Sequence, residues 1–216
     1  MRLEAVNLGR RETVNLGARS VETGIDKRPV ERAFIGRLGL SGDIVADTVH
    51  HGGADQAVYL YSRQDYSWWE AELGTTLAPG TFGENLTVSD LGDEPRPGDR
   101  MRVGAALLEL TAPRVPCAVF ANKIGLLGVS QPGWVKRFAA AERTGAYARV
   151  LEEGEVAAGA RIELLPGTGE HPSLVELLRL YYDKDPDIET VQRALRAPIA
   201  ERERTSLETK LATLAR

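Results

Sequence analysis

Met101-Arg102-Val103-Gly104-Ala105-Ala106-Leu107-Leu108-Glu109-Leu110-Thr111 decides the fold class. Two runs of β-formers flank one glycine, which is the pattern of a hairpin. The same grammar repeats on either side. Upstream, Gln56-Ala57-Val58-Tyr59-Leu60-Tyr61 is dense in β-formers and reads as a strand buried on both faces. Val14-Asn15-Leu16 and Arg32-Ala33-Phe34-Ile35 are shorter, partly alternating strands. Downstream, Ala146 to Leu151 and Val156 to Leu164 flank Glu152-Glu153-Gly154-Glu155, a second hairpin signal. The 22 glycines cluster at turns, and the pairs Gly42-Asp43 and Gly98-Asp99 suit turns into new strands. One helix interrupts the region, because Tyr66, Trp69 and Leu73 fall at helical spacing between Asp65 and Leu73. Many short strands separated by glycine turns predict a closed or partly closed barrel.

The pattern changes at Pro166-Gly167-Thr168-Gly169, read as a linker. Ser173-Leu174-Val175-Glu176 beyond it is a capping box. Leu174, Leu177, Leu178 and Tyr181 then share one helical face. Asp185-Pro186 starts a second helix with proline at its first position, striped by Ile188, Val191 and Leu195. Pro198 closes it and opens a third, carrying Leu207, Leu211 and Leu214. The expectation is a mainly β domain with peripheral helices over residues 1–166 and a small three-helix subdomain over residues 170–216.

Composition bounds the function. The chain has 216 residues, 43% hydrophobic and 27% charged, an ordinary globular mix. Net charge is −4, so no general attraction to nucleic acid or to an anionic membrane is expected. A three-helix tail invites comparison with DNA-reading modules. Residues 170–216 carry eight basic and nine acidic residues, whereas such modules present a basic face. Packing, homodimer formation or partner docking suits the tail better. No apolar run is long enough for a membrane helix, and Met1 to Val6 has no signal-peptide core. One cysteine makes no internal disulfide, and a cytoplasmic protein is expected.

Four segments hold the chemistry-bearing residues, each with a plainer reading beside it. His50 and His51 precede Gly52-Gly53; on a strand they point to opposite faces, so one at most serves a given site. A tight turn with a hydrogen-bonded histidine fits them equally. Phe82-Gly83-Glu84-Asn85 offers an anchor, a carboxylate and an amide, or simply turn chemistry. Pro113-Arg114-Val115-Pro116-Cys117 stiffens the approach to the only thiol, and Arg114 would favour its thiolate. A lone cysteine is also an ordinary small core residue. Lys27-Arg28-Pro29 suits an anionic group such as phosphate, or an exposed basic pair.

Taken in order, Lys27-x-Pro29-Val30, Gly39-Leu40-x-Gly42-Asp43, His50-His51-Gly52-Gly53, Phe82-Gly83-Glu84-Asn85-Leu86-Thr87, Gly98-Asp99 and Pro113-Arg114-x-Pro116-Cys117 resemble the MOSC domain, in its bacterial YiiM-like branch. That branch carries a three-helix extension after the barrel. The resemblance implies a β-barrel that binds a molybdenum–pterin cofactor (Moco). It implies that Cys117 supplies a thiolate to molybdenum. Lys27 matches a lysine suited to the pterin phosphate, with Arg114 a second candidate. His51 and Asn85 are implied partners of the pterin or of a metal oxo group, and His51 a proton source. Asp55 is a weaker candidate for orienting the site. The implied reaction reduces N-hydroxylated compounds, including base analogues, amidoximes and hydroxylamines: R–NH–OH becomes R–NH2 with two electrons, two protons and release of water. One thiol holds no iron–sulfur cluster and no Gly-x-Gly-x-x-Gly fingerprint is present, so electrons are expected from a separate reductase. Two other readings stay open: a sulfur or cofactor carrier acting through Cys117, and a non-catalytic binding module.

Overall fold

A computed structural model describes residues 1–48, 51–128 and 133–214. The strands are β1 (Leu3–Gly9), β2 (Glu12–Leu16), β3 (Arg19–Thr23), β4 (Lys27–Val30), β5 (Arg32–Gly36), β6 (Gly39–Leu40) and β7 (Val58–Ser62). They continue with β8 (Leu86–Val88), β9 (Arg100–Val103), β10 (Ala106–Ala112), β11 (Ala146–Glu152), β12 (Gly154–Ala157) and β13 (Ile162–Leu165). The helices are α1 (Arg63–Leu73), α2 (Ala118–Gly125), α3 (Trp134–Ala141), α4 (Leu174–Tyr182), α5 (Ile188–Arg196) and α6 (Glu201–Leu214). Eight strands form one mixed sheet in the order β13-β9-β10-β11-β7-β8-β1-β4. Only β7 and β8 run parallel in it. The fold is thus mixed α/β, with helices on the sheet and at the C-terminal end. The expected barrel is not closed by this ladder, which has edges at β13 and β4. Across the gap runs an isolated Arg2–Arg161 bridge, with Leu3 N donating to Ala160 O at 2.9 Å and Ile162 N to Met1 O at 3.0 Å.

The alternation along β7 explains the layering. Val58 and Leu60 join an aliphatic core with β1, β8, β9, β10 and β11. Tyr59 and Tyr61 face the other way into an aromatic core with Tyr66, Trp69, Phe82, Phe120, Trp134 and Phe138. A period-two strand divides its side chains this way. β10 is buried along its whole length. Its one charge, Glu109, accepts hydrogen bonds from Arg100 at 3.0 Å and Arg149 at 3.1 Å, as burial of a carboxylate requires. The β9–β10 hairpin pairs as expected, Val103 opposite Ala106. The second expected hairpin does not form. β11 pairs with β10 and β7, whereas β12 leaves for a three-stranded sheet with β5 and β6. Gly154 makes that departure, passing so close to Ala105 that an added Cβ would lie 2.6 Å from its backbone. Two further helices, α2 and α3, also interrupt the β region; Phe120/Ile124 and Trp134/Phe138 roof the aromatic core.

In the tail, the Ser173–Glu176 capping box opens α4. The buried face is Leu174, Leu177, Leu178 and Leu180, whereas Tyr181 is 44% exposed. α5 starts later than the proline suggests: Asp187 is its N-cap, accepting from Thr190 N at 2.9 Å. Val191 and Ala194, not Ile188, are its buried residues. Leu174, Leu177, Leu180, Val191, Ala194, Ile199 and Leu207 complete the aliphatic core beneath the sheet. Within α6, burial lifts the Glu203 carboxyl to about 7 against an ordinary 4.5, with Arg202 pulling the other way. The folded chain therefore holds this proton more tightly than the unfolded chain. The stabilisation is complete below 4.5 and is lost as pH rises through about 7. Glu203→Gln is expected to remove this slope and to exceed the parent by about 1–2 kcal/mol at alkaline pH, read from urea midpoints on either side of the window.

Candidate functional site

The loop after β3 turns the chain so that Lys27, the first residue of β4, points inward. Its Nζ donates to Asp43 Oδ1 at 2.6 Å and Oδ2 at 2.5 Å, with both side chains under a tenth exposed. Asp43 also accepts from Gly9 N at 2.7 Å and from Asn85 Nδ2 at 2.8 Å. One carboxylate thus ties together the end of β1, the start of β4 and the loop before β8. Burial lowers the Lys27 ammonium from the ordinary lysine range more than attraction to Asp43 raises it. Gly80 lets that loop approach, since a Cβ there would meet the Lys27 carbonyl at 2.2 Å, and its φ is +86°. Asn85 faces both ways, its Oδ1 accepting from Tyr59 N at 3.1 Å. Behind it the fully buried Glu84 accepts through Oε1 from Tyr66 OH at 2.6 Å, Gly80 N at 2.7 Å and Thr87 Oγ1 at 2.6 Å. Glu84 is therefore a brace of the loop.

The stiff segment Pro113–Cys117 carries the other half. Arg114 is 5% exposed and lies between the rings of Tyr59 and Phe120, 4.9 and 4.5 Å from their centroids. One guanidinium nitrogen donates to Phe82 O at 2.9 Å; Nε has no partner. No carboxylate pairs with Arg114 among the described residues. Burial works against its charge, but Tyr147, Tyr59 and Cys117 outweigh that and hold its pKa above the ordinary arginine value. Cys117 is half-buried and is the N-cap of α2, with no side-chain capping bond.

Lys27, His51, Asn85, Arg114 and Cys117 line a single cavity of roughly 730 Å³, open mouth included. The five positions expected from the sequence are brought together. His51 stands on the wall, its backbone N donating to Asp47 O at 3.1 Å; His50 lies outside the described residues. Asp55 is outside the cavity lining. Its carboxylate accepts from Arg149 Nε at 2.9 Å and Glu201 N at 3.0 Å, so it seats α6 against the turn that carries Gln56 to the rim. Asp43, Tyr59 and Tyr147 also line the cavity and were missed. Gly42-Asp43 was legible only as a turn, and which tyrosines face inward depends on strand register.

The donor set restricts the chemistry. Among the described residues no group of three or more His, Cys, Asp or Glu could hold a metal ion. The cavity offers one soft sulfur ligand beside an uncompensated buried cation. A metal held here must bring most of its own ligands, and an anionic carrier fits the guanidinium. A molybdenum–pterin dithiolene meets both conditions.

The MOSC domain model matches residues 47–163. YflK of Bacillus subtilis is 38% identical over 197 residues, covering 88% of this chain and 85% of YflK. The chain belongs to the MOSC domain family. Its fold superposes on the crystal structure of YiiM from Geobacillus stearothermophilus with a TM-score of 0.78, 26% identity, and 97% and 98% of the two chains covered. Within the family it is YiiM-like. A protein of Gibberella moniliformis named a reductase is 33% identical over 137 residues, 61% of this chain but 23% of that one. No described helix is long and apolar enough to cross a membrane.

Proposed function

We propose that the chain is a molybdenum-cofactor-dependent oxidoreductase that reduces N-hydroxylated compounds to amines, with electrons from a separate reductase. The observation that carries this reading is the placement of Cys117 in one cavity with the unpaired cation of Arg114. The name of the fungal relative supports the reaction class. When bound, the cofactor would supply two-electron oxygen-transfer chemistry, which the protein need not provide.

The chain's own residues then divide the remaining work. Cys117 would offer its sulfur to molybdenum. Arg114, rigid between two rings, would balance negative charge without reorganising. Lys27 has three N–H groups and spends its two contacts on Asp43, so one donor is left for a phosphate. Asn85 orients that pair from the opposite side. His51 would pass protons from the wall. The test is metal analysis and turnover on protein purified from a host that makes the pterin. Near-stoichiometric molybdenum is expected, together with reduction of an N-hydroxylated purine by reduced methyl viologen. Protein from such a host that holds no molybdenum and leaves the purine unchanged would overturn the reading.

A further inference from the structure

Two phenols line the cavity, Tyr59 and Tyr147. They are partners across the β7–β11 ladder, with ring centroids 4.8 Å apart. Their hydroxyls differ. Tyr59 OH is committed, donating to Thr144 O at 2.7 Å. Tyr147 OH makes no hydrogen bond among the described residues. Tyr147 is only half-buried, and its hydroxyl keeps contact with solvent. A phenol left unpaired on a cavity wall is a donor available to whatever occupies the cavity. Its surroundings locate that occupant: Arg114 and Cys117 line the same cavity, and both interact electrostatically with the Tyr147 side chain. Burial raises the phenol above its ordinary value, so it keeps its proton through the neutral range.

We infer that Tyr147 is a substrate-recognition residue whose phenolic O–H donates to the oxygen of an N-hydroxylated ligand beside Cys117. This rests on the function proposed above and deepens it. The oxygen is the one atom that separates substrate from amine product. A wall that offers a donor at that point favours the hydroxylated form, because the amine leaves the donor unpaired. The site then binds what it reduces and releases what it makes.

Binding without turnover gives the test. Molybdenum-loaded, oxidised protein with no electron donor is titrated calorimetrically with an N-hydroxylated purine and with its amino parent. The parent protein is expected to prefer the hydroxylated base. In Tyr147→Phe that preference should fall about fivefold to tenfold, the range of one neutral hydrogen bond, with affinity for the amine unchanged. The variant keeps the ring that stacks on Tyr59, and its molybdenum content should equal the parent's. Loaded, active parent protein and a variant with undiminished preference would overturn the Tyr147 assignment alone. Parent protein without molybdenum would overturn both it and the function on which it rests.

Discussion

On the function proposed above, Cys117→Ala should purify as a folded protein with molybdenum content reduced at least tenfold and reductase activity lost. Loss of a group that only hydrogen-bonds a metal ligand commonly costs about tenfold to a hundredfold in metal affinity, and removal of the proposed ligand itself should cost no less. The fold tolerates the change. The thiol makes no capping bond at α2 and sits only at the edge of the aromatic core. Truncation there should cost under about 1 kcal/mol. Metal content per chain and a thermal melt, measured on one preparation, separate the two effects. Cys117→Ser keeps the shape but offers a harder oxygen donor, so it should retain more metal than alanine and less than the parent. Stoichiometric molybdenum in Cys117→Ala would show that the sulfur is not the ligand.

How much was legible in the sequence differed by element. The β9–β10 hairpin was readable because its glycine and both partners are local. The β11–β12 pairing was misread because both segments carry strand character, and nothing local says which strand each will meet. Their partners, β10 and β5, lie far away in sequence. In α4, spacing alone allowed Tyr181 to share the buried face; the sheet beneath the helix selects Leu180 instead. At the site, Lys27, Asn85, Arg114 and Cys117 each had a plainer local reading and took their roles only from the ordered set of motifs that resembles the MOSC domain. Asp43 and Tyr147 took no role from it. A carboxylate after a glycine is ordinary turn chemistry, and one tyrosine among six carries no mark of the cavity it will face.

The Lys27–Asp43 pair shows what the site costs the fold. A buried pair gains little over an apolar one, but breaking it strands a charge. Asp43→Ala removes the carboxylate that accepts from Lys27, Gly9 and Asn85 together. The expected loss is about 3–5 kcal/mol in urea unfolding, a large fraction of the ~5–15 kcal/mol typical of a domain. Asp43→Asn keeps acceptors for Gly9 and Lys27 and should lose less. Lys27→Met combined with Asp43→Asn should recover part of the loss by removing the stranded ammonium. The pH dependence fixes the cause. Burial already makes the folded chain release the Lys27 proton more readily than the unfolded chain, whose lysine titrates near 10.5. Stability therefore gains from this residue as pH rises from the folded value toward 10.5. Asp43 is the main opposing influence, so without it that window should start at lower pH and the gain should be larger. A variant that loses under about 1 kcal/mol, or is no better at alkaline than at neutral pH, would mean that water reaches Lys27 and no charge is stranded.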